Sequence, residues 1–244
     1  MLSKYIKNIT AVSEPAGAGF VCTAAIIEYD RKIKNDLLRP DCYEIQDRKI
    51  LKVYGNTQAE KADKGLDGSF VILELDTADA AASLYEVRGR GPTTRILIHK
   101  PKVQVRPIQG EDGVIPAGKV ELTSNQEINR VIDDFIPGVF QTLAYNLFIP
   151  RNYDETQVYP LVLFIHDAGC CGTDPRLTLV QGTGATVWAS PEHQEKYPCF
   201  VLAPQFAPPP MVNDNFEADH RIEIVKRLLD FIVSKYSVDV SRIY

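Results

Sequence analysis

Through the first half of the chain, short stretches rich in Val, Ile, Thr and Tyr alternate with polar residues and break at turn signals. The pattern predicts strands at Ile6–Val12, Phe20–Tyr29, Cys42–Ile45, Lys49–Tyr54, Phe70–Leu75, Lys102–Ile108 and Lys119–Leu122. Glu14-Pro15-Ala16-Gly17, Leu66-Asp67-Gly68 and Gly110-Glu111-Asp112-Gly113 supply the turns. Thr77 to Ala82 reads as a helical turn or a long loop. About seven short strands with frequent turns suit a sandwich of two sheets over residues 1–125. The cysteine pair and tryptophan of immunoglobulin domains are absent, since Trp188 lies far downstream, so the sandwich rests on strand count.

The period changes after residue 127. Val131–Ile136 and Leu143–Ile149 predict two strands, and Leu161-Val162-Leu163-Phe164-Ile165 is a continuous apolar run of the kind a strand buried on both faces shows. A Gly-rich loop follows, then a weak helical pattern near Leu177 to Ala189. Ser190-Pro191 has the form of an N-cap with proline at the first helical position. Phe200-Val201-Leu202-Ala203 predicts another buried strand, ended by Pro204. Ile222, Val225, Leu228, Leu229, Ile232 and Val233 mark one face of a helix, and Val240 to Tyr244 begins one more strand. Strands alternating with helices predict a mostly parallel α/β sheet over residues 127–244.

Composition adds exclusions more than identity. Of the 244 residues, 45% are hydrophobic and 24% charged, with a net charge of −5 and a pI near 5.5. That balance gives no basic footprint for nucleic acid, and no apolar run is long enough to span a bilayer as a helix. Met1 to Thr10 lacks the apolar core of a signal peptide, which leaves a cytoplasmic location as the default and secretion open if a segment precedes it. The five cysteines, Cys22, Cys42, Cys170, Cys171 and Cys199, are odd in number and irregularly spaced, so neither a disulfide framework nor a zinc ribbon is expected. The adjacent Cys170 and Cys171 read as small residues in a tight loop.

The chemistry concentrates after the third apolar run of the second half, in His166-Asp167-Ala168-Gly169. A buried strand running into His-x-x-Gly can present a backbone N–H to the oxyanion that forms when an ester carbonyl is attacked. Glycine and a small residue let the chain turn sharply there. Around this loop stand Tyr145-Asn146-Leu147-Phe148-Ile149-Pro150, Gly172-Thr173-Asp174, Gly184-Ala185-Thr186-Val187-Trp188-Ala189, Cys199-Phe200-Val201-Leu202-Ala203-Pro204-Gln205 and the closing Tyr236-Ser237-Val238-Asp239-Val240-Ser241-Arg242-Ile243-Tyr244.

Together these segments resemble bacterial carboxylesterases related to polyhydroxybutyrate depolymerases, also described as predicted peptidases. They resemble in particular a subgroup with an N-terminal esterase immunoglobulin-like domain. Residues 5 to 122 are similar to that domain, with Ala25-Ile26-Ile27-Glu28-Tyr29-Asp30 and Lys52-Val53-Tyr54 among the similar stretches. The resemblance implies an immunoglobulin-like sandwich followed by the first half of an α/β-hydrolase domain. It implies serine chemistry on a small ester or polyester, no metal or organic cofactor, and a β domain that is a candidate oligomerisation surface. His166-Asp167 stands where many α/β-hydrolases have His-Gly, a variant of the loop.

No serine of the chain lies in Gly-x-Ser-x-Gly: Ser69, Ser124, Ser190 and Ser241 all lack the flanking glycines. The family pattern continues past Arg-Ile-Tyr into that motif, and the triad acid and base follow the serine in α/β-hydrolases. The resemblance therefore places all three triad residues beyond Tyr244 and implies a chain inactive by itself. His166 is expected to orient the loop rather than act as a base. His99 and His193 read as surface residues, and His220 as the exposed start of a helix; a metal site from His220, Asp214 and Asp219 lacks a supporting spacing. Trp188 is a candidate for an acyl pocket, with packing under the sheet as its plainer reading. Gln205 follows a strand's carboxyl end, where open α/β sheets bind ligands, and is a candidate substrate contact. Two other functions stay open: a non-catalytic polymer- or protein-binding β-sandwich with a vestigial hydrolase segment, and a peptidase on the same scaffold.

Overall fold

The structure, a computed structural model, describes residues 5–17, 19–90, 94–107, 121–212, 215 and 217–244. The Gly110–Gly113 turn, much of the Lys119–Leu122 segment and Asp214 lie outside the described residues. In chain order the strands are β1 (Ile6–Ala16), β2 (Gly19–Ile33), β3 (Tyr43–Ile45), β4 (Ile50–Asn56), β5 (Gly68–Leu75), β6 (Tyr85–Arg88), β7 (Arg95–Ile98), β8 (Gln104–Pro107), β9 (Leu122–Thr123), β10 (Gln126–Asn129), β11 (Ile136–Phe140), β12 (Leu143–Phe148), β13 (Tyr159–Leu163), β14 (Phe200–Gln205) and β15 (Val238–Ile243). The helices are α1 (Leu177–Val180), α2 (Thr186–Ala189), α3 (Pro191–Lys196) and α4 (Arg221–Lys235). Two compact units form. One takes residues 1–14, 21–84 and 99–129; the other takes 15–20, 85–98 and 130–244.

The first unit holds two sheets, one ordered β10-β1-β2-β5-β4 and one ordered β3-β8-β9. Strand β2 is buried over nearly its whole first half, because side chains alternate faces along a strand and both faces are covered. Ala24 and Ile26 pack with Val12, Tyr54 and Ile72 on one face. On the other, Tyr29 Oη meets Tyr43 Oη of the second sheet at 3.1 Å. Strand β10 adds to β1 in parallel, Thr10 opposite Gln126 through Ser13 opposite Asn129. The buried Ser13 Oγ donates to Asn129 Oδ1 across that pairing.

The second unit is built on a mixed sheet ordered β11-β12-β14-β13-β15. β11, β12 and β14 are successive antiparallel neighbours, whereas β13 runs parallel to both β14 and β15. Helix α4 buries Ile224, Val225, Leu228 and Ile232 against the sheet residues Leu161, Phe200 and Leu202. The half-buried Ile222, Leu229 and Val233 of the sequence-derived face lie at its margin, where a wide apolar stripe meets solvent.

Three local expectations change. Val131–Ile136 is not a strand: Ile132–Asp134 forms a 3₁₀ turn, with Asp134 N–H donating to Val131 O and Phe135 N–H to Ile132 O. A three-residue period puts Ile132 and Phe135 on the same buried side and leaves Asp133 and Asp134 in water. Val131 pays for the turn with φ 67°, an unusual conformation for a β-branched residue. Strand β14 does not stop before Pro204 but runs through it to Gln205. Its ladder to β13 has ended at Leu202, so the proline, opposite Tyr145 of β12, removes no donor needed on the β13 side. The helical pattern at Leu177–Ala189 resolves into α1 and α2, parted by Gly182 (φ 121°) and Gly184, where a Cβ would run into the Phe164 ring.

Ser190-Pro191 does begin a helix: Ser190 Oγ accepts from His193 N–H and Pro191 occupies the first turn of α3. Ser190→Ala is expected to lower stability by about 0.5–1 kcal/mol, the lower part of the range for a lost N-cap, because the bond is long at 3.4 Å. Urea unfolding of the variant checks it; an unchanged midpoint would show that the cap contributes nothing.

Candidate active site

The loop between β13 and α1 leaves the sheet at the carboxyl end of a parallel strand, beside the end of β14. Apolar burial of Leu161 and Phe200 holds both strands rigidly, so the two loops start from fixed points. His166 is buried, and both ring nitrogens are used. Nδ1 lies 2.7 Å from the Asp167 carbonyl, and Nε2 accepts from Phe206 N–H at 3.0 Å. An acceptor Nε2 requires the neutral ring with its proton on Nδ1, and burial shifts the histidine pKa down in the same direction. A ring so engaged pins the chain after β13 to the chain after β14.

Gln205 completes the pin. Its side chain is buried; Oε1 accepts from Thr178 N–H at 2.8 Å, and Nε2 donates to Cys170 O at 2.8 Å with Phe206 O at 3.2 Å. One amide thus ties α1, the loop after β13 and the loop after β14, with both Nε2 donors and one of the two acceptor positions of Oε1 engaged. Trp188 stands apart. It is 39% exposed, so it is not packed under the sheet; its ring meets His193 edge-on, and it does not line the cavity described below. His193 is half-buried rather than a surface residue, because it folds back on Ser190 and Trp188. His220 is exposed and immediately precedes α4.

The four residues of the loop then divide by what their N–H groups do. Asp167 N–H donates to Gln181 Oε1 at 3.2 Å. Gly169 N–H donates to Asp167 Oδ1 at 2.7 Å, which caps a 3₁₀ turn over Ala168–Cys170. Cys170 N–H donates to the Asp167 carbonyl at 3.1 Å. Ala168 N–H alone in this run has no partner among the described residues, and Ala168 is exposed. The Asp167 carboxylate is therefore turned into its own turn, as the cap of Gly169.

Ala168 lies on the wall of a cavity of about 920 Å³, within the size range of small-molecule sites. Gly169, Cys171, the Pro208–Pro210 run and Met211 share the lining. A narrower recess of about 80 Å³ continues behind Ala168 to His166 and Phe206. Arg221 shapes the proline run, donating to the carbonyls of Ala207 and Pro209 at 2.8 Å each while it pairs with Asp219, whose carboxyl it holds below the usual range. Burial raises the Cys171 thiol pKa and raises that of Cys170 to about 12, which disfavours the thiolate at both.

One wall of the cavity comes from far upstream. Thr94 and Arg95 belong to the β6–β7 hairpin, whose Ile96 packs with Cys170 and Leu177 and whose Tyr85 Oη lies 3.8 Å from Cys170 Sγ. Sequence reasoning missed this hairpin, Gln181 and the proline wall. Gly89-Arg90-Gly91-Pro92 between two four-residue apolar-polar alternations was the available signal for the hairpin. No metal-holding group of His, Cys, Asp or Glu occurs among the described residues.

Comparison with curated proteins gives no match. A solved structure described as the crystal structure of a thermostable esterase is similar at 29% identity with a TM-score of 0.87; the likeness covers 98% of this chain and 69% of that one. The model of the esterase Ig-like N-terminal domain matches residues 8–133, which is 126 of the 244 residues and somewhat longer than the 5–122 stretch suggested by sequence. The chain therefore belongs to the family of proteins that carry the esterase Ig-like N-terminal domain.

Proposed function

We propose that the second unit is the leading part of an α/β-hydrolase domain and that it supplies the oxyanion-binding wall of a serine carboxylesterase. The observation that carries this reading is the Ala168 N–H, which has no partner among the described residues and belongs to a residue that lines a cavity, while its neighbours' N–H groups are engaged. A preorganised donor of that kind stabilises charge that develops only as the ester carbonyl is attacked. Its position after a parallel strand agrees with where open α/β sheets bind ligands, and the likeness to a thermostable esterase favours an ester over a peptide. A small ester or short polyester is the substrate class, as in the depolymerase-like group.

The chemistry would run as acyl transfer. A serine oxygen attacks the ester carbonyl as its proton passes to a histidine base. The carbonyl oxygen gains negative charge and takes the Ala168 N–H. The alcohol leaves with the proton, and water then releases the acid. Within the chain no described serine has the flanking glycines or a free base. Ser190 does lie 3.2 Å from His193 Nδ1, but that hydroxyl is the N-cap of α3 and the contact spans three residues of one turn. We assign the nucleophile, its base and the acid to a Gly-x-Ser-x-Gly segment and sequence that follow Tyr244.

The 244-residue chain is accordingly expected to show no hydrolysis of a short-chain nitrophenyl ester and no labelling by a fluorophosphonate probe. A protein in which such a segment follows Tyr244 is expected to show both. Labelling of the 244-residue chain at a specific serine would move the nucleophile into it; failure of the longer protein in both assays would refute the esterase reading.

A further inference from the structure

We propose that Arg95, carried on the β6–β7 hairpin, is a specificity-determining residue of the Ala168 cavity and selects esters that bear a second, free carboxylate. The assignment rests on the ester-hydrolase reading above and adds the substrate class.

Arg95 lines the same cavity as Ala168, and its charge is unspent there. Its one hydrogen bond runs from Nη1 to the carbonyl of the adjacent Thr94 at 2.7 Å, and it makes no ion pair among the described residues. The other charged groups about the cavity are committed. Arg221 is held by Asp219 and by two carbonyls, so that pair is internally neutral. The Asp167 carboxylate caps Gly169 N–H. Glu217, also on the lining, has an interaction of its own.

Burial raises the Cys171 thiol pKa; the charges of Arg221 and, more weakly, Arg95 act against that rise and the Asp167 carboxylate adds to it, so the field of Arg95 reaches the site alongside that of Asp167. Between Arg95 and the loop the wall is largely apolar, with Pro208–Pro210, Met211 and Val212. A neutral ester would use that wall and the Ala168 N–H and leave the guanidinium to water. An ester with a carboxylate at its far end would use all three, because a planar guanidinium holds a carboxylate through two parallel N–H···O bonds.

The hairpin gives this arrangement its rigidity. Ile96, next to Arg95, is buried against Cys170 and Leu177, so the residue that would read the carboxylate is anchored to the loop that would hold the oxyanion.

The test is an NMR titration of the ¹⁵N-labelled 244-residue chain with monomethyl succinate and with dimethyl succinate, probes of equal backbone length that differ by one charge. Both are expected to shift the Ala168 amide, the monoanion binding about 5- to 10-fold more tightly, as one partly exposed charge-assisted pair would give. Arg95→Gln is expected to remove that preference, Arg95→Lys to keep part of it, and added salt to weaken it. Arg88→Gln, on the same hairpin but paired with Glu86 and outside the cavity lining, is expected to leave it intact. Equal binding of the two probes by the unaltered chain, or a preference that survives Arg95→Gln, overturns the role of Arg95 and leaves the ester-binding reading standing. If neither probe shifts the Ala168 amide, the ester-binding reading itself fails and Arg95 with it.

Discussion

Replacing Ala168 with proline is expected to lower kcat by about 10² or more, the usual cost of one oxyanion-hole donor, in a protein where a nucleophile segment follows Tyr244. The substitution is unusually clean. Ala168 is the first residue of its 3₁₀ turn, where its N–H makes no bond among the described residues and where proline fits. Asp167 before it is extended, with φ −73° and ψ 165°, the region that a residue preceding proline prefers. The variant therefore loses one N–H and little else, so KM and the thermal midpoint should stay near the parent's while kcat falls. Ala168→Gly keeps the N–H and should keep most of kcat. Initial-rate kinetics on a nitrophenyl ester, with thermal unfolding alongside, separates these effects. A proline variant with parental kcat would mean that the oxyanion is held elsewhere.

Phe200→Ala should be the most destabilising single truncation in the second unit, at about 3–5 kcal/mol. Phe200 begins β14, is fully buried, and lies within ring contact of Tyr153, Tyr159 and Tyr236 at 5.4–6.1 Å, with two of the three contacts edge-on. Tyr153 fills part of the same site from the loop before β13, and its hydroxyl accepts from Ser237 N–H at 3.0 Å. Removing the ring opens a cavity among aromatic side chains that are tied by hydrogen bonds and cannot collapse freely into it. Tyr197→Ala, 69% exposed on the neighbouring segment, should cost under about 0.5 kcal/mol. Urea unfolding of both variants is the measurement. A loss below about 1 kcal/mol for Phe200→Ala would show that this cluster is not the core of the unit.

Local order was legible wherever a short window of residues decides it. The alternations of β1 and β2, the apolar runs of β13 and β14, the stripe of α4 and the Ser190-Pro191 cap each depend on neighbours within a few positions. His166-Asp167-Ala168-Gly169 was visible as a loop because its meaning lies in being next to a buried strand. The turn at Ile132 was hidden for the same kind of reason: six residues of mixed apolar and acidic character fit a strand or a 3₁₀ turn equally until Phe135 finds a buried place.

What the cavity is made of depended on pairings that no window contains. Asp167 and Ala168 cannot be told apart in sequence, and in the fold Gln181, fourteen residues on, accepts from the Asp167 N–H. Gln205 reads as a substrate contact from its place at the end of β14, and in the fold its buried amide ties α1 to the loops after β13 and β14. Arg95 lies 73 positions before Ala168 and joins its cavity only because Ile96 packs against Cys170 and Leu177. Secondary structure follows from short-range sterics and periodicity, which the order of residues already contains. Which donor stays free and which charge stays unpaired are results of long-range packing, and only the folded chain decides them.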